Sequence, residues 1–201
     1  MTENGFYKIK PEFVDLINRI GGKYLDKKSR PVFCCIKDKD IESLYWAIPT
    51  SDYSHRSPKQ IDKIKRWCTE KSIRSAYYHI GFTNRPAIYK ISNCFPITDK
   101  YIEATYISQG RPLILKNKRE IKIIRSNLHR ILFDESIHPN KYEQHITDIK
   151  NFLIEEIKQN QSIKIDTKNV QSEHTPFNDL LIRTVKDKMD IDKLNEQDIE
   201  R

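Results

Sequence analysis

The chain has 201 residues, 37% hydrophobic and 32% charged, with a formal net charge of +8. That length suits one domain, or one domain with an appendage, and suffices to bury a core. No run is apolar for long enough to cross a bilayer and residues 1–10 lack the apolar core of a secretory signal, so the expected location is the cytoplasm.

In chain order, Phe6-Tyr-Lys-Ile9 predicts a short strand. A helix follows from Pro11, with Phe13, Leu16, Ile17 and Ile20 at helical spacing and Gly21-Gly22 as its stop. After a polar loop over residues 23–30, residues 32–37 and 43–48 predict two strands of a hairpin turned around Asp38–Asp40.

The second strand runs into Pro49-Thr-Ser-Asp-Tyr-Ser-His55. Pro49 removes a backbone donor and is expected to end the strand. The hydroxyls of Thr50, Ser51, Tyr53 and Ser54 then gather on one loop beside His55, the side chain that titrates nearest neutral pH. Such a cluster suits proton transfer and oxyanion contact. It is equally the composition of a polar turn whose Ser and Thr bond their own backbone.

Ser57-Pro58 is a helix start, with a capping hydroxyl followed by proline at the first helical position. Ile61, Ile64 and Cys68 face inward, leaving Lys59, Lys63 and Arg66 as a basic stripe. Strands are expected over residues 76–80, 87–91 and 102–107, with Asn93-Cys-Phe-Pro96 separating the last two. Short connections favour an antiparallel sheet.

A helix over residues 117–133 turns Ile121, Ile124, Leu128, Ile131 and Leu132 inward and carries Lys118, Lys122, Arg125 and His129 on another side. Amphipathic helices ordinarily have charged outer faces, but two such stripes fit an RNA-binding surface. The helix over residues 142–159 has Ile146, Ile149, Leu153 and Ile157 on one face and is structural. Residues 161–173 are expected to form a linker, with an edge strand at Ile163-Lys-Ile165 as the alternative. A short helix capped at Thr175-Pro176 and a frayed end complete the chain. The predicted division is thus residues 1–160 as the functional domain and 161–201 as a polar linker and helical tail.

Charge follows this division. Residues 161–201 carry a net −2, which leaves +10 on residues 1–160. A positive field of that size fits a polyanionic partner, nucleic acid above all, although solubility charge gives the same count. Tyr45, Trp46, Tyr53, Tyr77 and Tyr78 are available to stack on unpaired bases, with about half expected in the core from their period of two. Cys34, Cys35, Cys68 and Cys94 follow no zinc spacing and the six histidines show no paired-ligand pattern, so neither metal nor cofactor is expected. The cysteines read as reduced and structural. His79, His129, His138 and His145 read as surface or capping residues.

Phe6-Tyr-Lys-Ile9, Arg30-Pro-Val-Phe33, Tyr45-Trp-Ala-Ile-Pro-Thr-Ser51, Cys94-Phe-Pro-Ile97 and the basic helix around residues 118–130 together resemble the ToxN, AbiQ and CptN endoribonuclease toxins of bacterial type III toxin–antitoxin systems. The resemblance extends over roughly residues 5–158. It implies an α+β fold: a compact, strongly twisted antiparallel sheet surrounded by helices, like the Kid and MazF toxins. It also implies metal-independent cleavage of RNA and inhibition by a repetitive small RNA held in a closed toxin–RNA ring.

The family's hydroxyl pair maps onto Thr50 and Ser51, and its basic residue at the head of the preceding strand maps onto Arg30. Where relatives carry a lysine two residues after the serine, this chain has Tyr53, so that role is lost or falls to His55 or Lys59. Arginine in place of lysine at position 30 stays protonated and is a poor base. The competing reading is a non-catalytic RNA-binding module that uses the same basic face. A plain interaction domain would instead bury Thr50 and Ser51 with no groove beside them.

Overall fold

In the computed structural model, which describes residues 1–24 and 31–172, an antiparallel sheet is built first from the N-terminal elements. Strand β1 (Gly5–Ile9) leads into helix α1 (Pro11–Arg19), which has proline at its first turn and buries Phe13, Val14, Leu16 and Ile17. Gly21 follows at φ +92°, a left-handed conformation that glycine adopts without a Cβ clash. Strand β2 (Val32–Lys37) pairs with β3 (Leu44–Asp52), and helix α2 (Pro58–Thr69) comes next. The capping hydroxyl expected at Ser57 is present and belongs to a full capping box: the Ser57 hydroxyl accepts from the Gln60 N–H, and the Gln60 side chain accepts from the Ser57 N–H.

The chain then forms β4 (Tyr78–Phe82), β5 (Pro86–Lys90), β6 (Phe95–Thr98), β7 (Ile102–Thr105) and the small hairpin β8 (Ile107–Ser108) and β9 (Arg111–Pro112). Helices α3 (Lys118–Ile137) and α4 (Ile146–Ser172) follow. The strand order is β4-β5-β3-β2-β1-β7, with β6 also on β3, and every pairing is antiparallel. The chain divides into two units, Met1–Glu155 and Glu156–Arg201, and the sheet with its core lies in the first.

Side-chain alternation along the strands separates two cores. Phe6, Phe33, Trp46, Ile48 and Tyr89 meet Ile124, Leu128 and Ile131 of α3. The neighbouring positions Tyr7, Val32 and Ala47 meet Phe13 and Ile17 of α1 and Ile149 and Leu153 of α4. A smaller cluster joins Ile61 and Ile64 of α2 to Ile88 of β5. The rings of Phe6, Phe33 and Tyr89 lie 5.1 to 6.5 Å apart, each pair adding about 1 kcal/mol beyond its buried area.

Four expectations need correction. Strand β3 does not stop at Pro49 but continues to Asp52, because Pro49 falls between the span paired with β6 (Leu44–Ala47) and the span paired with β5 (Thr50–Asp52). On that edge the missing donor breaks no pairing. Residues 93–96 are not merely a connection, since Phe95–Thr98 forms the fully buried β6 with Pro96 opposite Trp46. Helix α3 reaches Ile137, past the expected end at Phe133. Helix α4 begins at Ile146 and has no glycine or proline to stop it, so residues 161–172 are helical where a linker or edge strand was expected. The Thr175-Pro176 helix start lies outside the described residues.

Polar groups tie the helices together and to the sheet. His79 of β4 lies 2.8 Å from Glu120 of α3. Gln144, buried between the helices, donates to the carbonyls of Ser92 and Cys94 at 2.9 and 2.7 Å. Glu135, only 3% exposed, accepts from the N–H groups of Asn140 and Thr147 and from the Thr147 hydroxyl through Oε1. That one carboxylate fixes the α3–α4 turn. Glu135→Ala leaves these donors buried and unsatisfied and is expected to cost about 2–4 kcal/mol, measured as a drop in the urea unfolding midpoint at unchanged slope.

Candidate functional site

Where β3 leaves β6 and pairs with β5, its last residues border an open groove of about 500 Å³. Thr50, Ser51 and Asp52 come from β3, His55 and Arg56 from the turn after it, and Gln60 from α2. The β4–β5 turn supplies Thr83, Asn84 and Arg85, while Phe6, Tyr106 and Leu113 add apolar surface. Phe6 belongs to the aromatic triad, so the groove's wall is continuous with the core.

The hydroxyls of Thr50 and Ser51 are held on the strand itself, not on a flexible loop, and each residue is 7% exposed. Thr50 Oγ1 donates to the Pro31 carbonyl at 3.2 Å. Ser51 Oγ accepts from Arg56 Nη2 at 3.2 Å, which leaves its own proton free to donate into the groove. Asp52 Oδ1 accepts from the Ser54 N–H and hydroxyl at 2.8 and 2.6 Å, and Oδ2 pairs with Arg85 Nη1 at 3.0 Å. The Ser54 hydroxyl, its N–H, and the charges of Arg85 and His55 hold the Asp52 carboxyl below its ordinary value.

Of the five residues expected to carry chemistry, Thr50, Ser51 and His55 line one groove. Tyr53 is turned elsewhere: it packs against Ile61, Ile64 and Ile88, with its N–H on the Pro86 carbonyl. Arg30 lies outside the described residues. Among the seven basic stripe residues none lines the groove. Lys59, Lys63 and Arg66 are exposed on α2, where Lys63 Nζ lies 4.7 Å from the centre of the Trp67 ring, itself stacked on Tyr78. Lys118 and Lys122 are exposed on α3, and Arg125 pairs with Glu3 at 3.3 Å. His129 borders a different cavity of about 400 Å³, beside Trp46 and Lys150.

The aromatic expectation is met in part. Trp46 is buried with its indole N–H on Asp38, whereas Tyr45, Tyr53, Tyr77 and Tyr78 are half-buried and packed on neighbours. Burial raises the Tyr45 and Tyr78 phenols. The aromatics that line the groove are instead Phe6 and Tyr106. Cys94 is buried and its thiol pushed up by desolvation, so it is unreactive. Among the described residues no cluster of His, Cys, Asp and Glu is arranged to hold a metal ion.

Two groove residues escape sequence reading. Arg56 adjoins His55 in the same turn, and its fixed charge there is the signal that could have found it. Arg85 sits 29 positions beyond Arg56 and reaches the site only because β5 pairs with β3 in the register Asp52↔Ala87.

No protein-family model matches the chain, and no curated protein matches it. Among solved structures the chain is similar to AbiQ, a lactococcal anti-phage endoribonuclease belonging to the type III toxin–antitoxin system. The two are 15% identical, with a TM-score of 0.43 over 80% of this chain and 99% of that one.

The ordering of causes at Asp52 is testable. The native carboxyl should titrate below 3.8, and Ser54→Ala should raise its midpoint more than Arg85→Ala, as read by carbon-13 NMR. With the folded value depressed, the stability that this group adds is present above the unfolded value and fades only as pH falls through the folded one.

Proposed function

We propose that the chain is an endoribonuclease that cleaves single-stranded RNA without a metal ion, leaving a 2′,3′-cyclic phosphate and a 5′-OH. The observation that carries this reading is the Arg56–Ser51 contact on a rigid strand end, open to a groove that also holds Thr50 and His55. Cleavage requires the 2′-OH to lose its proton, its oxygen to bond to phosphorus, and the P–O5′ bond to break as the 5′ oxygen takes up a proton.

The groove offers a group for each demand. Arg56 stays protonated and holds the phosphate, and the Ser51 hydroxyl donates to a non-bridging oxygen as charge builds there. Thr50 orients the scissile ribose beside it. His55 exchanges the proton with either the 2′-OH or the leaving 5′ oxygen. Arg56 also offers an answer to the missing lysine, because it brings a cation to the serine that Tyr53 does not.

This activity is that of the type III toxins that Tyr45–Ser51 resembles, and with it come a cytoplasmic setting and a repetitive RNA antitoxin as inhibitor, assembled in a closed ring. The stripes of α2 and α3 lie outside the groove's lining, which fits them to RNA flanking the cleaved bond or to the antitoxin. The same separation favours, as second reading, a binding module that needs the stripes and not the groove.

Purified protein with end-labelled RNA in excess EDTA is expected to yield cyclic phosphate ends. Ser51→Ala and Arg56→Ala should each slow cleavage by roughly 10²–10³-fold without loss of fold, the usual effect of removing one oxyanion donor. Products ending in 3′-OH, or equal cleavage by Ser51→Ala, would overturn the assignment.

A further inference from the structure

Beyond the groups that the cleavage chemistry uses, the groove contains a second arginine fixed in place. Arg85 is an exposed side chain, and an exposed arginine ordinarily samples many rotamers. Here its Nη1 is 3.0 Å from Asp52 Oδ2, and that carboxylate is itself immobilised by two bonds from Ser54 to its other oxygen. The Asp52 side chain is 11% exposed, against 61% for Arg85, so the anchor is sheltered and the guanidinium is presented. A guanidinium has five N–H donors, and the ion pair leaves most of them open.

The two guanidinium contacts are made on consecutive residues of one strand, Arg56 on Ser51 and Arg85 on Asp52. Both cations line the one groove, Arg56 from the turn after β3 and Arg85 from the β4–β5 turn. A single anion needs one such fork. Two forks in one groove that Tyr106 also lines suit a backbone with phosphates in sequence.

We infer that Arg85, positioned by Asp52 and Ser54, is a subsite for the phosphate next to the scissile one, so that the preferred ligand of the groove is a single strand with at least two consecutive phosphates. The inference rests on the proposed ribonuclease reading for the identity of the first phosphate. Asp52 acts through Arg85 and is a positioning residue. Its depressed carboxyl keeps the anchor charged throughout the neutral range.

The test uses full-length protein and 2′-deoxy oligonucleotides, which bind without being cleaved. Affinities are measured for a dinucleoside monophosphate and for the trinucleotide with two phosphates. In the wild type the second phosphate should tighten binding on the order of tenfold, the effect of a charge-assisted hydrogen bond. Arg85→Ala and Asp52→Asn should each abolish that gain while leaving the monophosphate unchanged, and Arg85→Lys should restore part of it. For the trinucleotide, Arg85→Ala should also lower the salt slope by about 0.7, the value for one phosphate of a single strand.

A second-phosphate gain as large in Arg85→Ala as in the wild type would overturn the inference, as would a variant that weakens both ligands equally. Failure of the ribonuclease reading is seen separately, as intact RNA after incubation with protein that still shows the two-phosphate gain.

Discussion

The architecture turns on one strand that must satisfy two edges with three partners. Strand β3 pairs along one side with β2, and along the other with β6 over its first half and β5 over its last three residues. Unpaired backbone groups inside a sheet are costly, so this division sets where each neighbour can begin and end. It also determines where the site forms. The change from β6 to β5 at Pro49 opens the sheet at the point where Thr50 and Ser51 follow, and the β4–β5 turn is drawn to the same end with Arg85. Had β3 ended at its proline, the hydroxyls would sit on a loop and the second arginine would have no reason to be near them.

Rigidity and charge are thereby separated. The groove is small and its cations are few, but each is tied to a strand residue or to the carboxylate beside it. The helical stripes are richer in charge, and the ties seen among the described residues include Lys63 over Trp67 and Arg125 on Glu3. Exposed charges of this kind attract a polyanion from a distance and are screened within roughly 8–10 Å at physiological salt. Held donors at a strand end discriminate between ground and transition states, since they need no reorganisation when charge develops. Under the proposed ribonuclease reading a long RNA uses both features, the stripes for encounter and the groove for chemistry.

How much of this was legible in the sequence follows from the range of the interactions. Local signals were read correctly: the Pro11 start and Gly21 stop of α1, the Ser57-Pro58 start of α2, and the helical spacing that buries Phe13, Leu16 and Ile17. Prolines misled the reading twice, at Pro49 within β3 and Pro96 within β6, because a proline is tolerated in a strand wherever the partner on its side is missing. Partner identity is a property of the whole sheet, and no window of residues contains it. The same reason hid Arg85, which joins the site through a register and not through a motif. Thr50, Ser51 and His55 were visible as one group and do line one groove, whereas Tyr53 belonged to the α2 cluster, for its ring finds apolar partners there.

The central claim is that the strand end, and not the helical stripes, holds the phosphate on which the protein acts. It is tested most directly by a crystal structure with a single-stranded RNA whose scissile ribose is 2′-deoxy. The account predicts a phosphate within hydrogen-bond distance of both Ser51 Oγ and Arg56, with His55 beside the ribose or the 5′ oxygen. RNA bound along α2 and α3 with its phosphates clear of Ser51 and Arg56 would contradict it.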